Sequence, residues 1–343
     1  MRRFKGRLAP VLFLLPALLA GGTPSPAAER LLERSGELAR AAEEEGRTVV
    51  EGRDGWLFLV SELRHLAAGP FWGEAARTAS RAKRAEARDP LPAILDFHRE
   101  LKAKGIELIL VPVPAKAAVY PHYLPGDPGA ESGVRPDPHH REFYSLLRAE
   151  GVKVLDLTDR FREGPDPARG PYYCRQDSHW SGTGCVRAAE ILADKVRPLL
   201  PRTTERSYPA AWKEIEIDGD LRRMLDDPGV PPEILAVRAV EGETLDPDSP
   251  LLVLGDSHTL VFHAGGDMHT RGAGLADQLA RELGRPVELV GVRGSGATPA
   301  RLNLFRKARG DPEYWNRKRA VVWIFSAREF TESDGWRLVP LGP

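Results

Sequence analysis

Cysteine is nearly missing from this chain: its 343 residues contain only Cys174 and Cys185. That excludes a fold knitted by several disulfides. With no Cys-x-x-Cys spacing and only His179 as a nearby nitrogen ligand, the pair does not make a metal site either. Two readings stand for them: a disulfide closing a short loop in an oxidising compartment, worth about 3 kcal/mol in the chain-entropy model, or two small buried side chains. An excess of one charge is also lacking. Lys plus Arg and Asp plus Glu number 49 each, so no global field draws the chain to nucleic acid or an anionic surface. No internal repeat is visible, and no apolar run beyond the first 20 residues is a candidate membrane span.

The first 27 residues have the order of an export signal. Arg2, Arg3, Lys5 and Arg7 precede an apolar segment from Leu8 to Ala20, and small residues follow, with Ser25-Pro26-Ala27 offering cleavage before Ala28. The apolar part is shorter than the roughly 20 residues of a spanning helix and is interrupted by Pro10 and Pro16. Export with cleavage is therefore expected over an uncleaved anchor, which places the protein in the periplasm or outside the cell. Residues 28–343 form the working domain and are long enough for a substantial core.

Downstream, Leu31, Leu32 and Leu38 give the stretch from Glu29 to Arg47 a thin apolar stripe, as in a solvated helix. Residues 49–59 read as a β-hairpin around Gly52-Arg53-Asp54-Gly55. Residues 69–89 are basic and lack periodicity, as in a surface insertion. Leu91, Ile94, Phe97 and Leu101 mark a helix over 90–104, followed by a strand at 106–113, a helix at 143–149 and a strand at 152–157. Residues 202–249 are irregular, apart from a strand at 215–217. Further strands fall at 251–254, 287–292 and 320–325, with helices near 275–283 and 299–309. About five strands alternating with helices predict a three-layer α/β domain with a mainly parallel sheet.

The chemistry gathers in two segments. Leu251-Leu252-Val253-Leu254 is an unbroken apolar run followed at once by Gly255-Asp256-Ser257, which puts Ser257 at the carboxyl end of a buried strand, where open α/β sheets bind ligands. A serine there needs a base and an orienting acid. Asp177-Ser178-His179-Trp180 offers both, since residues two apart in an extended segment point the same way. Ser257, His179 and Asp177 are accordingly the candidate catalytic residues of a Ser/His/Asp acyl-transfer site. Ser181 or Thr183 can cap the next helix, whose apolar face is Val186, Ala189, Leu192 and Val196. The Ser257 N–H is a natural oxyanion donor, and Gly294 or Gly296 is the candidate second donor. Trp180 can line the site, and Arg328 either faces the crevice or pairs with Glu329 at the surface. His258, His263, Asp267 and His269 fit no familiar ligand spacing and read as loop or surface residues. No metal or other cofactor is expected.

Five segments together resemble the SGNH-hydrolase-like O-acetyltransferases of bacterial exopolysaccharide export, the alginate O-acetyltransferase group. They are GRDGWLFL at 52–59, VPVPAKAAVYPHYLP at 111–125, YYCRQDSHWSGTG at 172–184, Gly255-Asp256-Ser257, and VWIFSAREF at 322–330. The resemblance implies an SGNH-like fold in which the Asp-x-His motif precedes the nucleophile, with Ser257 as nucleophile, His179 as base and Asp177 as orienting acid. It also implies acetyl transfer to polysaccharide hydroxyls in the periplasm, with a membrane-bound acyltransferase partner supplying the acetyl group. The chain departs from the family where His258 replaces an aromatic residue beside the nucleophile, and its end at Pro343 leaves no room for an appended carbohydrate-binding module. Two other functions fit the same residues. One is an acetylesterase with the same triad, since water or a sugar hydroxyl can resolve an acyl-enzyme. The other is a non-catalytic polysaccharide-binding assembly subunit, against which the intact triad residues argue.

Overall fold

The computed structural model describes residues 25–126, 135–165 and 167–342. The proposed signal, except for its last three residues, lies outside them. The strands are β1 (Val49–Glu51), β2 (Leu57–Leu59), β3 (Glu107–Val113), β4 (Lys153–Val154), β5 (Ala210–Ile217), β6 (Glu233–Val240), β7 (Leu251–Gly255), β8 (Ala264–Gly265), β9 (Met268–Arg271), β10 (Glu288–Gly291) and β11 (Ala320–Ser326). Five of them form one sheet in the order β10-β7-β11-β3-β4, with every pairing parallel.

The unbroken apolar runs follow from covering both faces of this sheet. Leu251, Val253, Val322 and Ile324 enter one core cluster with the helices Gly182–Val196 and Leu275–Leu283. Leu252, Leu254, Val321, Trp323 and Phe325 enter the other with the helices Pro90–Ala103, Pro138–Ala149 and Thr298–Ala308. Burying side chains of this size stabilises by about 1.5–3 kcal/mol each, so the two cores fix the strand order. The predicted three-layer α/β architecture is what the structure shows.

Four local expectations need correction. The helix Pro26–Glu44 is not merely solvated: besides Leu31 it buries Ser35, Gly36, Ala39 and Ala42, small residues that leave no hydrophobic signal. The segment 69–89 is no surface insertion, because Phe71 is fully buried and stacks on Phe330 at 4.9 Å. The strand expected at 152–157 shrinks to the edge pair Lys153–Val154. Residues 202–249 are not irregular apart from the strand expected at 215–217: that strand is the end of a longer β5, which pairs antiparallel with β6 over its whole length. The β1–β2 hairpin forms as expected. The expected cleavage point before Ala28 falls inside the first helix, which begins at Pro26 behind a Ser25 cap. Among the described residues no helix is long and apolar enough to cross a membrane.

The cysteines are both free and buried. Cys174 donates to the Trp180 carbonyl at 3.6 Å, and Cys185 sits in the helix Gly182–Val196 with its side chain in the core. The disulfide reading is therefore replaced by the packing one.

Candidate active site

Strand β7 ends where its neighbour presses closest. Gly255 lies opposite Ile324 of β11, and a Cβ on Gly255 would stand inside contact distance of the Ile324 carbonyl oxygen. Asp256 then turns the chain: its Oδ1 accepts from His258 N at 2.9 Å and its Oδ2 from Ser326 N at 2.7 Å. This carboxylate, fully buried, clamps a short 3-10 turn over Ser257–Thr259 to the end of β11. Ser257 is thereby held at the carboxyl edge of the sheet, as the Gly-Asp-Ser triplet predicts.

The second half of the site comes from the loop before the helix Gly182–Val196. Ser181 caps that helix, its Oγ accepting from Gly184 N at 3.1 Å, a contact worth about 1 kcal/mol. The loop just ahead of it delivers His179 to Ser257. His179 Nε2 lies 2.7 Å from Ser257 Oγ, and its Nδ1 lies 2.6 Å from Asp177 Oδ1. All three side chains are largely buried. Because an ionised carboxylate only accepts, the Nδ1–H donates to Asp177 and leaves Nε2 free to accept the serine proton.

Two residues that sequence reasoning missed hold the acid. Asp177 Oδ2 accepts from Asp220 N at 2.9 Å and from His269 Nε2 at 3.0 Å. Asp220 in turn takes the Ser178 N–H at 2.7 Å and the Ser178 hydroxyl at 2.5 Å. Its approach depends on Gly219, where a Cβ would collide with the Gln176 carbonyl oxygen. His269, expected as a loop or surface residue, is instead drawn in by the small β8–β9 hairpin. Nothing in the local pattern around Gly219-Asp220 or His269 marks them; only the tertiary fold brings them to Asp177.

Electrostatics match this geometry. Burial alone would raise the Asp177 carboxyl, but the charge and N–H of His179, with His269, hold it well below the usual range. Burial alone would lower His179, yet Asp177, then Asp220 and Asp256, raise it above an ordinary imidazole. Burial keeps His258 low despite Asp256, so a neutral imidazole forms the wall beside Ser257, its ring 4.8 Å from that of His179. Ligating atoms of Asp177, His179 and Asp220 lie within 4.8 Å of one another, but each already makes one of the hydrogen bonds above.

The remaining candidates divide. Trp180 is fully buried and does not line the crevice; its Nε1 donates to the His258 carbonyl at 3.1 Å and so braces the turn that holds Ser257. Gly296 packs on that turn, a Cβ there falling 3.0 Å from Asp256 N, whereas Gly294 has open space around it and φ of +94°. Arg328 is not a surface residue. It donates to Ser326 Oγ at 3.0 Å, lies 4.0 Å from Glu62 Oε1 and feels the charges of Glu62, Glu329, Asp256 and Asp220. Glu329 is buried and takes a hydrogen bond from Ser295. Of the other residues set aside in sequence, His263 pairs with Asp277 at 2.9 Å and Asp267 with Arg293 at 2.5 Å. A cleft of about 500 Å³ borders Arg175 and Gln176, but neither Ser257 nor His179 lines it.

Residues 49–327 match the family described as "SGNH hydrolase-like domain, acetyltransferase AlgX". The chain is 28% identical over 184 residues to the probable alginate O-acetylase AlgJ of Pseudomonas aeruginosa, an alignment covering 53% of this chain and 42% of that protein. Against the probable alginate O-acetylase AlgJ of Pseudomonas putida it is 30% identical over 184 residues, covering 53% and 43%. The alignments thus span less than half the length of these curated relatives. The O-acetyltransferase domain of Pseudomonas putida AlgJ superposes with a TM-score of 0.60 at 26% identity, over 82% of this chain and 92% of that one. Pseudomonas aeruginosa AlgX shares the fold, with a TM-score of 0.58 at 17% identity over 89% and 67%. With its Asp-x-His segment ahead of its Gly-Asp-Ser turn on an SGNH-like sheet, the chain belongs to the SGNH hydrolase-like, AlgX acetyltransferase family.

Proposed function

We propose that this protein is an exported O-acetyltransferase that moves acetyl groups onto hydroxyls of a polysaccharide through an acetyl-Ser257 intermediate. The observation that carries the reading is the hydrogen-bonded series Ser257–His179–Asp177, at 2.7 and 2.6 Å, at the carboxyl edge of the sheet. His179 Nε2 takes the Ser257 proton as Oγ attacks the acetyl carbonyl, and Asp177 stabilises the imidazolium that results. The donor's leaving group departs with that proton. A sugar hydroxyl then repeats the sequence in reverse: it loses its proton to His179, attacks the acetyl-serine, and the proton returns to Ser257 Oγ. The Ser257 N–H stabilises the oxyanion, with Gly296, which packs on the same turn, as the candidate second donor and Arg328 nearby.

Relatives named as alginate O-acetylases support the polysaccharide acceptor and the group transferred. Residues 1–27 act as the export signal, residues 28–343 are one acetyltransferase domain working in the periplasm, and a membrane-bound acyltransferase supplies the acetyl group. The test incubates purified protein with para-nitrophenyl acetate, with and without oligosaccharide acceptors, and follows products by mass spectrometry. Acetylated oligosaccharide is expected. Ser257→Ala and His179→Ala should each lower turnover by roughly 10⁴-fold. Free acetate alone would make the enzyme an esterase, and full turnover in both variants would overturn the triad.

A further inference from the structure

We propose that Lys116 is a positioning residue of this site, its buried ammonium fixing the backbone that presents Asp177 and through it the orientation of His179. The inference rests on the acyl-transfer reading above. Lys116 follows β3 at the carboxyl edge of the sheet and is fully buried. Its Nζ donates to the carbonyl oxygens of Asp177 at 2.7 Å, Leu57 at 2.9 Å and Arg175 at 3.3 Å. An ammonium has three N–H donors and no acceptor, so the group is satisfied wholly by the main chain. The rings of Trp56 and Phe58 each stand 5.9 Å from it.

Two of those three carbonyls belong to the segment that carries the acid. The Arg175 carbonyl also accepts from Leu57 N at 2.8 Å, which stitches the segment to β2. On its other side Lys116 is tied to the nucleophile. Glu62 Oε2 accepts from Lys116 N at 3.1 Å, Glu62 Oε1 lies 4.0 Å from Arg328, Arg328 bonds Ser326 Oγ, and Ser326 N donates to Asp256, the residue before Ser257. A continuous series of charged and hydrogen-bonded groups thus joins the two halves of the triad from beneath. An apolar side chain at 116 would take the Nζ donor away from all three carbonyls and leave the Arg175 oxygen with its bond from Leu57 N. The other two would recover partners by rotating the peptides around Asp177, and sub-ångström misplacement is enough to impair a triad.

The test compares Lys116→Met with Lys318→Met. Lys318 is an equally buried ammonium, bonded to the Pro247 and Ser249 carbonyls and to Glu288, away from the triad. Turnover of para-nitrophenyl acetate is measured together with the far-downfield proton resonance of the His179–Asp177 hydrogen bond. Lys116→Met should lose roughly 10²-fold or more in kcat with KM changed by less than about threefold, and should lose or shift the resonance. Lys318→Met should lower stability while keeping kcat and the resonance. Parental kcat and resonance in folded Lys116→Met overturn the proposal, as does an equal loss of kcat in both lysine variants. If Lys116→Met does not fold, Lys116→Gln, which keeps an N–H donor, carries the same readouts; failure of both to fold makes Lys116 a stability residue and rejects the proposal. Ser257→Ala run in parallel separates the levels: its inactivity beside an active Lys116→Met refutes only the positioning role, whereas its full activity refutes the triad itself.

Discussion

Replacing Asp177 by asparagine removes one charge and almost no volume, so the effect is decided by the hydrogen bonds around it. Four donors converge on this carboxylate: the His179 main-chain N–H at 3.0 Å and ring Nδ1 at 2.6 Å on Oδ1, and Asp220 N at 2.9 Å and His269 Nε2 at 3.0 Å on Oδ2. An amide has one acceptor oxygen. With that oxygen toward His179, the new NH₂ meets the Asp220 N–H and leaves a buried donor orphaned, at about 1–3 kcal/mol. With the amide turned, the NH₂ faces His179 Nδ1, which must become the acceptor, and the ring hydrogen then sits on Nε2, pointing at Ser257. The base is lost. The expected fall in kcat is roughly 10⁴-fold, the loss seen when a triad acid is made an amide. The pH profile adds a signed test. Asp177 raises His179, so the parental kcat/KM should fall as pH drops through a value above about 6.5, the free imidazole range. In the variant the burial penalty remains without the charge, so the residual activity should show that limb at lower pH. Steady-state hydrolysis of para-nitrophenyl acetate from about pH 5 to about pH 9, a span that brackets an imidazole base, measures both. Activity within about tenfold of the parent, with an unmoved acid limb, would refute the assigned tautomer.

Three further outcomes are expected from the geometry. Burial raises the Glu329 carboxyl from 4.5 to about 7 against the opposing effects of Arg328 and Ser295. An acid that holds its proton in the folded state after the unfolded chain has released it loses stability as pH rises through that window, here by up to about 3 kcal/mol; Glu329→Gln should flatten the decline and be the more stable protein near pH 8 in denaturant unfolding, and an unchanged pH dependence would contradict it. Gly255→Ala drives a Cβ into the Ile324 carbonyl between two central strands, so it should cost at least about 3 kcal/mol, the top of the usual range for overpacking, and an unchanged Tm would contradict the close approach. Because Cys174 and Cys185 are free, buried and shifted upward by that burial, both thiols should resist an aromatic disulfide reagent until the chain unfolds, and reductant should leave Tm unchanged. A fall in Tm on reduction would restore the disulfide.

Much of this was legible because it is local. The apolar run before Ser257 announces a strand covered on both sides, the triplet after it announces a tight turn, and the two-residue spacing of Asp177 and His179 puts both side chains on one side of the chain. Phe71, strand β6 with the first part of β5, and the small-residue face of the first helix escaped notice because each is settled by contacts with other segments rather than by a pattern of its own. His269 escaped for the same reason, since a histidine at the end of a glycine-rich turn looks alike whether it faces solvent or a carboxylate.

The sequence by itself thus determined the alternation of strand and helix, the carboxyl-edge placement of the serine and the histidine and aspartate that the fold sets beside it, because these depend on side-chain type and on short-range periodicity. Only the tertiary structure decided that Asp220 and His269 complete the shell around Asp177, that Trp180 bonds the turn that holds Ser257, and that the Lys116 ammonium reaches the Asp177 main-chain carbonyl. Those assignments depend on which strand lies beside which, and that order is set by the summed burial of two cores rather than by any one stretch of the chain.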